Sequence, residues 1–77
     1  MNNSERHHLK RRTLGSNIAR LRETRDITQK QLALMTGMNK GYLCDVENGK
    51  ANVSVNKLFR ITEALDISLR DLFEGIE

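Results

Sequence analysis

The chain has 77 residues, a net charge of +3 at neutral pH and an apolar fraction of 38%. A chain of this length forms one small domain that buries only about 60% of its unfolded surface, so a partner subunit would add stability. Its single cysteine excludes an internal disulfide and fits a cytoplasmic protein. No apolar run approaches the ~20 residues of a membrane span, and no segment resembles a signal peptide.

The charge is unevenly distributed along the chain. Residues 1–50 contain ten Lys and Arg against five Asp and Glu, whereas residues 51–77 contain three against five. The first part therefore carries +5 and the second part −2. This asymmetry fits a domain that presents one side to a polyanion, although simple solvation of a small protein explains the charge equally well.

The first twelve residues differ in character from the rest. Residues 1–12 are polar and basic and lack apolar periodicity, so we predict a flexible N-terminal tail ahead of a folded domain over residues 13–77. The first helix is predicted from about Thr13 to Thr24 because apolar residues recur there at helical spacing. These apolar residues are Leu14, Ile18 and Leu21.

The segment from Thr28 to Lys50 predicts two short helices joined by a tight turn. Thr28 opens a helix over residues 29–36 with a capping box, and Gly37 suits the left-handed residue that ends it. Asn39 caps a third helix, which ends at the Asn48-Gly49 turn. The apolar residues that would be buried between them are Leu32, Ala33, Leu43 and Val46. The outer face of the third helix, free to enter a DNA major groove, carries Lys40, Gly41, Cys44 and Asp45.

Two closing helices complete the predicted fold. Ser54 caps the fourth, and Ser68 with Asp71 has capping-box spacing at the start of the fifth. The apolar positions of the fourth helix are Val55, Leu58, Ile61 and Leu65. A further apolar stripe, partly core and partly the expected homodimer interface, consists of Phe59, Leu69, Leu72, Phe73 and Ile76. No segment alternates as a strand would, so the predicted fold is all-α with five helices.

In this order and spacing the helices resemble the Xre/Cro-type helix-turn-helix family of phage-repressor-like DNA-binding domains. The resemblance runs from about Leu14 to Phe73. It is carried by LGSNIARLRETR, ITQKQLALMTGM, NKGYLCDVENGK and VSVNKLFRITEALDISLRDLF. The exit DVENGKANVS is similar to that of controller proteins of restriction–modification systems. The resemblance implies a five-helix fold of the lambda-repressor type.

The resemblance also implies roles for individual residues. Gln29 would bind a DNA phosphate, and Arg22 would form a partly buried ion pair with Glu47. The implied DNA-binding residues are Gln29, Asn39, Lys40, Gly41, Tyr42, Cys44, Asp45, Asn48 and Lys50. Two of these have alternative interpretations. Asp45 would accept a hydrogen bond from a cytosine, remain solvated, or orient Lys40 or an arginine. Cys44 would be a small neutral contact or a redox sensor.

Three residues depart from the family pattern. Asp26 stands at a turn where the family usually has glycine, which predicts strain because aspartate tolerates a positive φ less well. Gly41 lies inside the third helix and costs about 1 kcal/mol relative to alanine. Val53 replaces a common proline, which predicts a less rigid entry into the fourth helix.

These features predict a sequence-specific DNA-binding transcriptional regulator that binds a two-fold symmetric operator as a homodimer. The alternative is an antitoxin or protein-binding adaptor that reuses the fold. An enzyme is not expected, because the chain has no glycine-rich phosphate loop and no oriented nucleophile. His7 and His8 lack a third ligand, so no metal site is predicted. The expected partners are double-stranded DNA and a second copy, with no cofactor, small-molecule ligand or membrane.

Overall fold

The computed structural model describes residues 1–77 and contains five α-helices and no strand. The helices are α1 (Asn3–Glu23), α2 (Gln29–Thr36), α3 (Lys40–Glu47), α4 (Val55–Leu65) and α5 (Leu69–Leu72). α1 packs on α3 and α5, α2 packs on α3 and α4, and α4 packs on α5. None of the five combines the length and apolar character that a bilayer-spanning helix needs. The predicted all-α, five-helix fold is therefore confirmed.

Side-chain caps begin four of the helices at the predicted residues. The Thr28 N–H donates to Gln31 Oε1 at 2.8 Å, and the Gln31 N–H donates to Thr28 Oγ1 at 3.1 Å, which completes the capping box. The corresponding caps of α3, α4 and α5 are Asn39, Ser54 and Ser68. Gly37 ends α2 in the left-handed conformation with φ 71°. Because each cap satisfies backbone N–H groups locally, these helix starts follow from the sequence alone.

The core collects apolar side chains from all five helices. Its buried members are Leu14, Ile18, Leu32, Ala33, Met38, Leu43, Val46, Leu58, Ile61, Leu65 and Leu72. Leu21 packs against this cluster but is only partly buried. Val55, the first apolar position assigned to the fourth helix, is not part of this core, because its side chain is 61% exposed at the first position of α4. The buried stripe of α4 begins one turn later, at Leu58, where the neighbouring helices cover it.

Two glycines let α1 approach the end of α3 closely. A Cβ on Gly15 would collide with the Val46 carbonyl oxygen and would lie 2.5 Å from the Glu47 carbonyl oxygen. Gly49 has φ +75°, and a Cβ there would lie 2.6 Å from Arg12 Cγ. Backbone therefore packs on backbone at this crossing, which fixes α1 against the loop that follows α3.

The N-terminal segment differs from the predicted tail. α1 begins at Asn3 rather than near Thr13, and it continues without interruption to Glu23. The Asn2 side chain accepts a hydrogen bond from the Glu5 N–H at 2.8 Å and so caps this start. Apolar periodicity did not reveal these turns because residues 1–10 are exposed all round. Once α1 is held by the core, each added residue gains a helical hydrogen bond without a new nucleation cost.

Two aspartates adopt the left-handed conformation at helix ends. Asp26, in the turn between α1 and α2, has φ 56°, and Asp66, which ends α4, has φ 53°. The predicted positive φ at Asp26 is thus confirmed, whereas Asp66 was not anticipated. Aspartate is among the few non-glycine residues that visit this region, because its short polar side chain can bond locally. Val53, at the position where proline is common, is half-buried against the core.

Candidate nucleic-acid interface

The two faces of α3 differ sharply in their environment. Leu43 and Val46 are buried against α1 and α2, and this contact fixes the rotation of the helix about its axis. Lys40, Gly41 and Asp45 are exposed on the opposite side, and the Lys40 and Asp45 side chains make no hydrogen bond or ion pair within the chain. Cys44 is a free, half-buried thiol on the same helix. The predicted outer face is therefore presented to solvent with its charged groups unpaired.

The side chains at the two ends of α3 are engaged with the helix itself. Asn39 Oδ1 accepts a hydrogen bond from the Tyr42 N–H at 2.6 Å, which leaves the Asn39 amide N–H groups available. At the other end, Asn48 Nδ2 donates to the Cys44 carbonyl oxygen at 2.9 Å and lies 3.4 Å from Cys44 Sγ. Both asparagines therefore have a structural role, and each keeps a side-chain polar atom that makes no hydrogen bond within the chain.

A three-residue network joins α1, α2 and α3. Arg22 donates from Nε to Glu47 Oε2 at 2.8 Å and from Nη2 to Glu47 Oε1 at 3.0 Å. The same guanidinium donates to the Ile27 carbonyl oxygen at 2.8 Å, just before α2. The Arg22 and Glu47 side chains are only 11% and 5% exposed. The hydrogen bonds that Arg22 donates to the Glu47 carboxylate raise the pKa of Arg22 above its ordinary value, against the opposing effect of burial.

Gln29 is the third member of this network. Its Nε2 donates to Glu47 Oε1 at 2.9 Å, so the carboxylate that pairs with Arg22 also orients the first side chain of α2. A side-chain amide carries two N–H donors, and only one of them is used here. Gln29 is thus held in place with one donor remaining for an external acceptor.

Tyr42, one of the implied DNA-binding residues, makes two contacts within the chain. Its hydroxyl donates to the Asn52 carbonyl oxygen at 3.2 Å, and its ring lies beneath the ammonium of Lys57, 4.1 Å from the ring centroid. Tyr42 therefore links α3 to the loop that follows it and to α4. Asn52 Oδ1 also accepts a hydrogen bond from Arg11 of α1 at 3.5 Å.

The fold gathers basic residues around the loop that follows α3. The sequence placed Arg11 and Arg12 in a basic tail whose cations would contact DNA phosphates, and it assigned no role to Lys57. Arg12 lines a shallow cleft together with Asn48 and Lys50. The excess of basic residues near the N-terminus was visible in the sequence, but no local signal placed Lys57 beside Tyr42, because fifteen positions separate them along the chain.

The C-terminal apolar stripe is divided by the fold. Leu72 is fully buried, so its prediction as a dimer-interface residue is wrong: it fills the core between α1 and α4. Asn17 Nδ2 donates to the carbonyl oxygens of Leu72 and Glu74 at 2.8 and 2.9 Å, which holds α5 on α1. Ile76 is half-buried against the core. The exposed members of the stripe are Phe59 at 41%, Leu69 at 38% and Phe73 at 39%.

Comparisons with known proteins show which family this chain is similar to. The helix-turn-helix family HTH_3 matches residues 18–72. Control protein C.MunI of Mycoplasma sp. is 38% identical over 64 residues, which span 82% of this chain and 86% of that protein. The HTH-type transcriptional regulator y4dJ of Sinorhizobium fredii is 36% identical over 58 residues, or 75% of each chain.

A solved structure agrees with the sequence comparisons. The restriction-modification controller protein C.AhdI from Aeromonas hydrophila superposes with a TM-score of 0.78 at 34% identity. The superposition covers 80% of this chain and 94% of that one. The similarity in structure therefore extends over most of this chain.

Proposed function

The chain belongs to the helix-turn-helix family of DNA-binding transcriptional regulators, and we propose that it binds a two-fold symmetric operator as a homodimer, with α3 of each subunit in a major groove. Its relatives are regulators and not enzymes. The observation that carries the proposal is the outer face of α3, where Lys40 and Asp45 are exposed and unpaired. Glu47 of the same helix also orients the amide of Gln29 at the start of α2.

The residues of this surface divide into two roles. Lys40 and Asp45 project from α3 toward the solvent, where Lys40 would donate to guanine or phosphate and Asp45 would accept from the cytosine amino group. Gln29 at the start of α2 and Lys50 after α3 would bind phosphates, which set the register of the helix but carry no sequence information. Gly41 leaves the centre of the face without a side chain, so the DNA can approach the α3 backbone there.

The dimer proposal follows from the apolar residues that the core leaves uncovered. Phe59 of α4, Leu69 of α5 and Phe73 just after it are each more than a third exposed. A two-fold axis would apply the same patch of both subunits to each other, which removes this surface from water. The two copies of α3 would then face the same side of the duplex about one helical turn, or 34–36 Å, apart.

The similarity to C.MunI and C.AhdI supports a specific setting, the control of restriction–modification genes. Such a regulator would respond to its own concentration, because assembly of a dimer on DNA depends steeply on the amount of protein. An antitoxin or adaptor that binds another protein remains the competing proposal.

Selection of binding sites from a random duplex pool tests the function directly. We expect enrichment of an inverted repeat with half-site centres about 10 base pairs apart, and an affinity that falls steeply with salt. Sedimentation of the complex should give two chains per duplex. Recovery of random sequence only, or of a repeat bound by one chain, would contradict the proposal. Recovery of random sequence together with tight binding to a toxin would favour the antitoxin or adaptor proposal.

A further inference from the structure

The loop that follows α3 collects positive charge from three parts of the chain. This exit loop, defined here as residues 48–54, carries Lys50 and lies beside α1 and the start of α4. Arg12 packs on Gly49 and shares a cleft with Lys50. Arg11 reaches the Asn52 side chain at 3.5 Å, and Lys57 lies over Tyr42, whose hydroxyl is bound to the Asn52 carbonyl oxygen. We call Arg11, Arg12, Lys50 and Lys57 the basic cluster.

None of these four cations is neutralised within the chain. The ion pairs of the protein involve only Arg20 and Arg22 among the basic residues. Glu47 is the acidic residue that lines the cleft of Arg12 and Lys50, and both of its carboxylate oxygens are already bound by Arg22, with Gln29 on one of them. Holding like charges together without a counter-charge is unfavourable, and an external anion would relieve that cost.

We propose that the basic cluster binds the phosphodiester backbone beside the half-site read by α3, so that Arg11, Arg12 and Lys57 are DNA-binding residues in addition to Lys50. This proposal rests on the proposed function and extends it to α1 and α4. A linear polyanion fits four cations that come from separate elements better than a single anion does, because duplex DNA carries one charge per about 1.7 Å of its axis. The cluster adjoins Tyr42 of α3, which places it at the edge of the groove that α3 would occupy.

Tyr42 and Asn52 act as positioning residues in this arrangement. Tyr42 links the exit loop to α3 through its hydroxyl and supports Lys57 on its ring face, where a cation is attracted by the ring quadrupole. Asn52 holds Arg11 at the other side of the loop. The loop therefore brings Arg11 of α1 and Lys57 of α4 close to α3, and a cation already placed near the backbone binds it at a lower entropy cost.

A charge-matched pair of variants tests the proposal. Arg11→Gln with Lys57→Gln removes two cations from the cluster, and Arg20→Gln with Arg60→Gln removes two cations from the same helices outside it. We expect the first double variant to reduce the slope of log K against log salt by up to about 1.8, for operator and random duplex alike, with an unchanged selected motif. The control pair should leave the slope at the parent value, and both should melt near the parent temperature.

Two further readouts separate positioning from charge and locate the contact. Tyr42→Phe keeps the ring under Lys57 and removes only the hydroxyl, so it should reduce the slope by less than the double variant. In a phosphate-ethylation interference experiment, ethylation of certain phosphates outside the half-site should weaken DNA binding by the parent protein. The same modifications should no longer weaken DNA binding by Arg11→Gln/Lys57→Gln. An unchanged slope, equal effects of the two double variants, or no such phosphates would overturn the proposal.

These outcomes are independent of those that test the proposed function. Suppose that the parent protein selects no motif, but that Arg11→Gln/Lys57→Gln alone reduces the slope of log K against log salt. This result would contradict the operator proposal and would leave the basic cluster as a general DNA contact. If instead the parent protein selects an inverted repeat and Arg11→Gln/Lys57→Gln has the same salt slope as the parent, only the proposal for the basic cluster is contradicted.

Discussion

Arg22 of α1 binds both carboxylate oxygens of Glu47, the last residue of α3, at 2.8 and 3.0 Å. This contact ties the helix that would enter the DNA to the helix that supports it, and Glu47 passes the constraint on to Gln29 of α2. We therefore expect both the stability of the fold and its DNA binding to depend on the Glu47 carboxylate.

Arg22→Ala should destabilise the fold more than Arg20→Ala, its more exposed neighbour on α1. The first change leaves Glu47 buried without its partner, which costs on the order of 3–5 kcal/mol at full burial. Arg20 is about half exposed and lies 3.6 Å from Glu74, so its loss should cost roughly 0–1 kcal/mol. Thermal unfolding of both variants measures the difference, and equal melting temperatures would contradict it.

Lys40→Ala and Gln29→Ala should weaken DNA binding in distinguishable ways. Loss of a base contact by Lys40 should cost roughly 1–3 kcal/mol and relax the preference at one position of each half-site. Gln29→Ala should weaken operator and random duplex alike, because phosphates carry no sequence information. Binding-site selection with each variant is the measurement. The assignment of α3 to the groove fails if both variants retain the parent motif and affinity.

Gly41→Ala and Gly15→Ala should change stability in opposite directions. A Cβ on Gly41 would meet only Asn39 Oδ1 at 3.5 Å, an ordinary contact, so alanine should raise the free energy of unfolding by up to about 1 kcal/mol. A Cβ on Gly15 would collide with the backbone of Val46, and the forced shift of α1 should cost about 1–3 kcal/mol. Urea unfolding measures both, and a Gly41→Ala variant less stable than the parent would refute the first part.

The stability contributed by Asp71 should depend on pH in a defined direction. Hydrogen bonds from Ser68, first from its backbone N–H, lower the pKa of the Asp71 carboxyl below its ordinary value of 3.8. A carboxyl group whose pKa is lower in the folded state stabilises the fold above pH 3.8, where it is ionised. This stabilisation is lost as the pH falls through the folded-state pKa. The melting-temperature difference between parent and Asp71→Ala should therefore be largest at neutral pH and shrink in acid below 3.8.

Asp71→Asn provides the control for this titration. It keeps an oxygen that can accept the Ser68 N–H hydrogen bond but cannot ionise. Its melting temperature should fall below that of the parent only where Asp71 is charged. A difference from the parent that does not change with pH would show that ionisation of Asp71 has no part in capping α5.

Phe59→Glu and Phe73→Glu should each give a folded monomer that binds the operator weakly. Both side chains are about 40% exposed, so a carboxylate in the free subunit can reach water, whereas in a dimer it would be buried opposite its copy. Leu34→Glu, which alters an apolar side chain of α2 that is 75% exposed, serves as the control and should remain dimeric. Sedimentation at tens of micromolar measures this, and a monomeric parent or dimeric phenylalanine variants would exclude this interface.

Most of the local structure of this protein, apart from the first turns of α1, could be predicted from short-range signals in the sequence. Thr28, Asn39, Ser54 and Ser68 each accept a hydrogen bond from a backbone N–H three residues ahead, so their capping roles could be predicted without knowing any distant partner. The left-handed glycine after α2 and most of the core followed from the same short-range rules. Together with the family resemblance, these local signals were enough to predict the order of helices and the outer face of α3.

The side chains that those helices bring together depend on how the helices pack, which the short-range signals do not specify. Leu72 is core and Val55 is exposed because burial depends on which neighbouring helix covers a position, and not on the side chain alone. The contact of Lys57 with Tyr42 and that of Arg11 with Asn52 join residues 15 and 41 positions apart. Such contacts form only after the core has fixed the helices, so a pattern that spans three or four residues cannot encode them.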